Sequence, residues 1–308
     1  MKLLITGAGG FLGSRLSSFY RGKYEVWGVG HEEMDLADAG SVREAVKRFG
    51  PDVVIHCAAV SDVGACTADP ARSFAVNVKG AQFLAQAGAA AGAKFVLCSS
   101  DQVYFKAWQE ETGESREAFL LPHREEEALS PIPVYGQHKL LAEELCRCAC
   151  PDTVCLRLTW MYDRLTKEER CKGRKNLGTI LLDGLAACDP AAQGKQKESG
   201  RTEILPAFSA TDYRSVTDVN EVVRNMEAAW QLPPGVYNFG SFYEGSIYEL
   251  VRSVLERMGS AAIVRRAETG SLRNLCMDTA KARAQGIRFM GAEEGLEKFL
   301  NRMKVKVE

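Results

Sequence analysis

Residues 6–13 read Thr6-Gly7-Ala8-Gly9-Gly10-Phe11-Leu12-Gly13, directly after the apolar run that ends at Ile5 and directly before a run with helical spacing. The first run predicts a short buried strand over 2–6, and the second a helix over 11–20. Gly7 permits the tight turn, Gly10 lets the backbone approach a pyrophosphate, and Gly13 lets the helix pack closely on the sheet. The anion then sits at the N-terminus of the helix, where unpaired N–H groups and the helix dipole favour negative charge. A glycine turn in this strand–turn–helix context predicts a dinucleotide site, with Gly7, Gly10, Phe11, Leu12 and Gly13 against the ligand.

Working outward, short apolar strands alternate with helices. Strands are predicted over 24–29, 52–56, 94–98 and 153–158, and helices over 41–49, 74–91 and 135–150. Ser41 is placed as a helix N-cap with Glu44 three residues on, the spacing of a capping box. The βαβ order implies a parallel sheet with right-handed crossovers, a doubly wound α/β (Rossmann) domain over 1–160. Later the pattern is less regular. A helix over 176–188 precedes a polar linker (189–202), and Val236–Phe239 reads as one more sheet strand. The first domain is therefore expected to be re-entered near 211–240. Residues 161–210 and 241–308, with helices over 247–258 and 293–303, are expected to form a smaller α/β substrate lobe.

Composition narrows the function classes. The 308 residues carry a formal net charge of −1, and we find no basic run, which excludes the electrostatic footprint of a nucleic-acid binder. No segment approaches the roughly 20 apolar residues that span a bilayer, and the start lacks the features of a secretory signal. A cytoplasmic chain with reduced thiols is expected. Among the 10 cysteines, Cys146, Cys148, Cys150 and Cys155 crowd together. On a helix Cys146 and Cys150 share a face while Cys148 points elsewhere, so they are expected to pack near a helix end and to hold no metal.

The G-x-x-G-x-x-G spacing resembles that of the extended short-chain dehydrogenase/reductases. The resemblance implies a nicotinamide cofactor. Where that family places an acid for the ribose hydroxyls, this chain has Gly28-Val29-Gly30-His31 with Glu32 and Glu33 beyond, so NADH and NADPH both remain open. Asp35-Leu36 matches the family's adenine-contacting pair. The stretch Cys57-Ala58-Ala59 after the third strand matches residues that border the nicotinamide ribose, with His56 expected to be a structural hydrogen-bonder. Tyr135 and Lys139, four apart, share one helix face. A phenol with a free pKa near 10 is a poor acid–base group at neutral pH, and a nearby ammonium brings it toward working range. Lys139 is also placed to bond the cofactor ribose. Ser99-Ser100-Asp101 ends the strand at Lys94, at the carboxyl edge where ligands bind in such sheets. By resemblance Ser100 is the catalytic hydroxyl that bonds the substrate carbonyl, and Ser99 is the neighbouring alternative.

Several stretches are similar to the dTDP-4-dehydrorhamnose reductase-like family: Ile55–Ala59, Asp69-Pro70, Val76-Asn77, Ser99–Asp101, Leu156–Trp160 and Met277–Ala282. The resemblance is thinnest between Asp163 and Ala210. It implies NAD(P)H-dependent reduction of the C4 ketone of a nucleotide-linked 4-keto-6-deoxy sugar, with Asp101, Gln102, Val103 and Trp160 beside the sugar. Gln102 argues against dehydration, because an amide cannot trade protons at neutral pH. Arg214, which follows Asp212-Tyr213, is a candidate for the substrate phosphates or a surface residue. Two other readings stay open: a nucleotide-sugar epimerase, and a non-catalytic NADP-binding regulatory subunit resembling the β subunit of methionine adenosyltransferase. A homodimer is likewise left open. The stretch Phe105–Trp108 and the acidic run from Glu110 to Glu127 read as a solvated loop, with a substrate lid or partner surface as alternatives.

Overall fold

The computed structural model describes residues 1–108, 114–171, 173–188, 204–260, 262–268 and 270–304. The strands are β1 (Lys2–Thr6), β2 (Glu25–Val29), β3 (Val53–His56), β4 (Lys94–Ser100), β5 (Thr153–Leu158), β6 (Trp160–Tyr162), β7 (Ile204–Ser209), β8 (Asp212–Arg214), β9 (Val216–Asp218), β10 (Gly235–Phe239), β11 (Ile263–Ala267) and β12 (Arg273–Leu275). The helices are α1 (Phe11–Tyr20), α2 (Ala39–Phe49), α3 (Val63–Ala68), α4 (Pro70–Phe74), α5 (Ala81–Ala90), α6 (Arg116–Phe119), α7 (Val134–Ala149), α8 (Lys167–Cys171), α9 (Leu177–Cys188), α10 (Val219–Ala229), α11 (Ile247–Arg257), α12 (Ala280–Ala284) and α13 (Ala292–Lys304).

Six strands form one parallel sheet in the order β10-β5-β4-β3-β1-β2. Strand alternation sends Leu3 and Ile5 to one face, packed with Leu12, Leu16, Val222 and Met226 of α1 and α10. Leu4, Val54 and Phe95 go to the other, packed with Val42, Leu84 and Ala142 of α2, α5 and α7. Both faces are covered, as a parallel sheet requires. The strand order reverses between β1 and β3, which opens a crevice at their carboxyl ends. The late strand β10 adds to the β5 edge, as its apolar pattern predicts.

A third apolar cluster joins Leu177 and Leu181 of α9, Leu205 and Phe208 of β7, Leu250 and Val254 of α11, and Leu296 and Phe299 of α13. Three short parallel pairs, β11–β7, β12–β8 and β6–β9, stand apart from the main sheet. No described helix is long and apolar enough to cross a membrane.

Local departures from the sequence reading have identifiable causes. The cap of α2 is Asp38, whose carboxylate accepts from Gly40 N, so the helix starts two residues before Ser41. A carboxylate is at least as good a cap as a hydroxyl and adds favourable charge at the dipole's positive end. Ser41 Oγ instead accepts from Asp35 N at 3.1 Å. The helix expected to start at Phe74 begins at Pro70, capped by Asp69, and passes through a π-turn at Ala75–Gly80 before α5. Cys146, Cys150 and Cys155 pack in the α7-side core, and Cys148 is exposed. The linker at 189–202 and residues 109–113 lie outside the described residues. The described part of the 105–130 stretch is anchored where Trp108 N donates to Leu272 O and His123 N donates to Cys276 O, while residues such as Leu121, Arg124 and Glu126 stay exposed.

A buried polar network ties these layers together. Arg157 of β5 pairs with Glu143 of α7 at 2.8 Å, with both side chains almost fully buried. Arg157 also donates to Tyr104 Oη at 2.7 Å, which donates to Asn238 of β10. Replacing Arg157 by Met is expected to cost about 3–5 kcal/mol of unfolding free energy, because Glu143 is left buried without its partner. Urea denaturation measures this. The double variant Glu143→Leu/Arg157→Met should recover most of the loss, and a single variant as stable as the parent would contradict the account.

Candidate active site

The site is built in the crevice where β1, β3 and β4 end and α7 begins. Gly7 turns the chain out of β1 at φ +68°, and a Cβ there would meet Ala58 N at 2.8 Å. A Cβ on Gly13 would overlap the Gly7 carbonyl oxygen, so only glycine lets α1 start this close to the turn. No side chain caps the first turn of α1, whose N-cap is Gly10. Its N–H groups are thus available to an anion.

Two cavities share a wall of Gly7, Gly30, Ala58 and Ala59. One, about 480 Å³, is lined by Asp35, Leu36, His31 and Arg72. The other, about 420 Å³, is lined by Gly10, Phe11, Leu12, Gly13, Cys57, Ser100, Tyr135 and Lys139. The glycine turn, the pair expected near adenine and the three expected catalytic groups therefore come together, from positions spread over more than 130 residues.

Helix α7 approaches the turn after β4 closely because Gly136 packs onto the Gln102 carbonyl, where a Cβ would overlap it. That contact brings Tyr135 and Lys139 to the crevice. Lys139 is buried, donates to the Cys98 carbonyl at 2.9 Å, and lies 5.8 Å from the Tyr135 ring centre. Burial lowers the Lys139 ammonium pKa. Burial, reinforced by the Asp101 charge, pushes the Tyr135 phenol above its ordinary value, and the Ser100 hydroxyl opposes this. Desolvation sets the direction of that shift, and the Lys139 ammonium is engaged by a backbone carbonyl.

The two adjacent serines separate cleanly. Ser99 is buried and donates to Glu143 Oε1 at 2.5 Å, inside the Arg157 network. Ser100 is half-buried, donates to Asp101 Oδ1 at 3.1 Å and accepts from Gln102 N at 3.2 Å. His56 is a buried structural group, 2.7 Å from Thr6 Oγ1, and burial pulls its pKa down to about 3.

Asp101, Gln102, Val103, Trp160 and Arg214 lie behind the cleft and line neither cavity. Arg214 is buried, so the surface reading is corrected. It donates to Asp101 Oδ2 at 2.8 Å and lies 5.1 Å over the Trp160 ring. Asp101 thus joins Arg214 to Ser100. Val103 is fully buried against Tyr104, Leu275 and Met277.

Sequence reasoning missed Arg72, and it missed a third cavity. That cavity, about 710 Å³, is lined by Arg170, Arg174, Lys175, Asp183 and Arg265, and Arg174 also lines the Ser100 cleft. The available signal was Arg170-Cys171-Lys172-Gly173-Arg174-Lys175, a short basic cluster that the near-zero net charge conceals.

Comparison with known proteins follows this geometry. A family model described as "RmlD substrate binding domain" matches residues 1–183. The spore coat polysaccharide biosynthesis protein SpsK of Bacillus subtilis (strain 168) is 28% identical over 259 residues, covering 84% of this chain and 80% of that protein. The dTDP-4-dehydrorhamnose reductase of Sinorhizobium fredii (strain NBRC 101917 / NGR234) is 32% identical over 164 residues, so the chain spans about half of that relative, 52%, with 53% of its own length. Among solved structures, a dTDP-4-dehydrorhamnose reductase from Bacillus anthracis str. Ames in complex with NADP has a TM-score of 0.77 at 21% identity, over 98% of both chains. That likeness shows the fold.

The Gly7–Gly13 contact yields a direct test. Gly13→Ala should destabilise the chain by about 1–3 kcal/mol through overpacking and weaken NADH or NADPH binding by roughly tenfold or more. Thermal melts and titration calorimetry read the two effects, and unchanged affinity would contradict the cradle assigned to this turn.

Proposed function

The chain belongs to the family described as RmlD substrate binding domain, and on that footing we propose that it is an NAD(P)H-dependent reductase of the C4 ketone of a nucleotide-linked 4-keto-6-deoxy sugar. The observation that carries this reading is the convergence of Ser100, Tyr135 and Lys139 on the cavity that also contains the glycine turn. The dTDP-4-dehydrorhamnose reductases among its relatives support the substrate class.

A nicotinamide bound in the cleft supplies the hydride. Ser100 turns its hydroxyl from Asp101 to the substrate carbonyl oxygen and stabilises the charge that develops there. Tyr135 gives its phenolic proton to that oxygen. A phenol held protonated by burial suits a reduction, which needs a donor. Lys139 sits deeper, fixing the Tyr135 face of α7 against the Cys98 carbonyl and facing the cofactor ribose. Asp35 and Leu36 take the adenine side, and Cys57–Ala59 the nicotinamide ribose. Trp160 and the Asp101–Arg214 pair back the sugar, with Gln102 and Val103 shaping the turn behind it.

The substrate diphosphate is assigned to the basic cavity of Arg174, Lys175 and Arg265, which opens toward the Ser100 cleft through Arg174. Local cations of this kind bind an anion without a global field. This places the nucleotide among residues 161–210 and 241–308, read as the substrate lobe, with 1–160 and the strand near 211–240 holding the cofactor. A cytoplasmic setting is part of the proposal, consistent with free thiols at the described cysteines.

Loss of NADH or NADPH absorbance on adding dTDP-4-keto-6-deoxy sugar tests the reading. Turnover with either cofactor supports it. Cofactor binding without turnover points instead to an epimerase or a regulatory subunit. Tyr135→Phe should lower kcat by about 10²–10⁴-fold with cofactor affinity unchanged. The raised phenol pKa keeps the donor form intact through neutral pH, so the alkaline fall in kcat/KM should lie above about 10, the free phenol value. A fall centred near neutrality would contradict the assignment of Tyr135 as a buried proton donor.

A further inference from the structure

Two thiols in the cofactor cleft take no part in the chemistry above. Cys57 follows the last residue of β3, and Cys98 lies near the end of β4. The register pairs His56 with Leu97, so the next residues along, Cys57 and Cys98, stand opposite each other on neighbouring parallel strands. Strands in a sheet are about 4.7–4.9 Å apart, inside the Cα separation a disulfide accepts, roughly 4.4–6.8 Å. The two side chains point to the same sheet face, toward the α1 core. Their sulfurs are 3.5 Å apart, in hydrogen-bond contact and not covalently joined.

Both cysteines line the cavity that holds the glycine turn, Tyr135 and Lys139. Cys98 also carries the carbonyl that anchors Lys139. The hydrogen bond to Cys98, together with burial, raises the Cys57 thiol pKa, while the Lys139 charge acts against this. Cys57 is therefore at rest as a thiol at neutral pH, beside Lys139, a cation able to stabilise a thiolate when it forms.

We propose that Cys57 and Cys98 are a covalent modification site, oxidised to a disulfide by a hydroperoxide, and that the disulfide weakens dinucleotide binding. One thiol loses its proton and its sulfur attacks the peroxide O–O bond. The O–O bond breaks, a sulfenic acid forms, and water, or an alcohol from an organic hydroperoxide, leaves. The second sulfur attacks the first, the S–O bond breaks, the S–S bond forms, and water leaves with the second proton. Two electrons pass from the sulfurs to the peroxide. Drawing the sulfurs together moves the Cys57–Ala59 wall and the Cys98 carbonyl, which are the surfaces that border the cleft and hold Lys139. A dinucleotide already in the cleft covers the pair and protects it.

The experiment treats the full chain with hydrogen peroxide, maps the thiols by peptide mass spectrometry, and titrates NADH and NADPH by protein fluorescence. A Cys57–Cys98 cross-linked peptide is expected, together with cofactor affinity reduced roughly tenfold or more, both reversed by dithiothreitol. Prior saturation with cofactor should slow the cross-link. In Cys98→Ala, peroxide should leave the affinity at the value of the untreated variant. Thiol loss without a Cys57–Cys98 peptide overturns the modification site, and a cross-link with unchanged affinity overturns its effect on the cleft. The mass map of the unmutated chain decides the first point even if the variant does not fold. It does so whether or not the chain reduces a sugar.

Discussion

Glu143 stands four residues beyond Lys139 and eight beyond Tyr135, on the same face of α7, and it is bound there to Arg157 of β5 with almost no exposure to solvent. An ion pair of this kind contributes little net stability, because desolvating both charges offsets most of their attraction. What it contributes is position. A slip of α7 along the sheet would leave two buried charges unpaired, so the helix has one acceptable register. The same carboxylate accepts from Ser99 of β4, and the same guanidinium reaches Tyr104 and, through it, Asn238 of β10. The separation between Ser100 on β4 and Tyr135 on α7 is thereby set by groups that never touch a ligand.

This arrangement explains why two consecutive serines have different roles. Side chains alternate across a strand, so Ser99 turns inward to Glu143 and Ser100 turns to the crevice. Asp101 then orients Ser100, and Arg214 holds Asp101 from below while lying over Trp160. Behind the cleft runs a chain of polar contacts in which each group has its position fixed by the next. Preorganised polar groups of this kind are what a reaction that develops negative charge on oxygen requires.

Much of this was legible because the signals were local. The glycine turn is eight consecutive residues, and Tyr135 and Lys139 are one helical turn apart. The βαβ alternation follows from short apolar runs, including the late strand at Val236–Phe239. What escaped sequence reading depends on pairing across distance. Nothing near Arg214 indicates that its partner is Asp101, 113 residues away, or that Glu143 faces Arg157. The choice of Asp38 over Ser41 as a cap is a competition between two good capping residues that spacing alone does not decide. The direction of the Tyr135 shift turns on burial and on the Asp101 charge, neither of which spacing reveals. The cavity of Arg174, Lys175 and Arg265 draws on residues some 90 positions apart, and the first two lie in the stretch where the resemblance is thinnest.

The central claim is that these residues carry out a hydride transfer to a sugar carbon rather than a transient oxidation or simple cofactor binding. It is tested most directly by incubating the protein with dTDP-4-keto-6-deoxy sugar and NADH or NADPH deuterated at the transferable nicotinamide position, then examining the sugar by mass spectrometry and NMR. The account predicts one deuterium at C4 of a reduced sugar, matched by one equivalent of oxidised cofactor. A sugar that changes configuration without gaining deuterium, or that is recovered unchanged beside fully reduced cofactor, would contradict it.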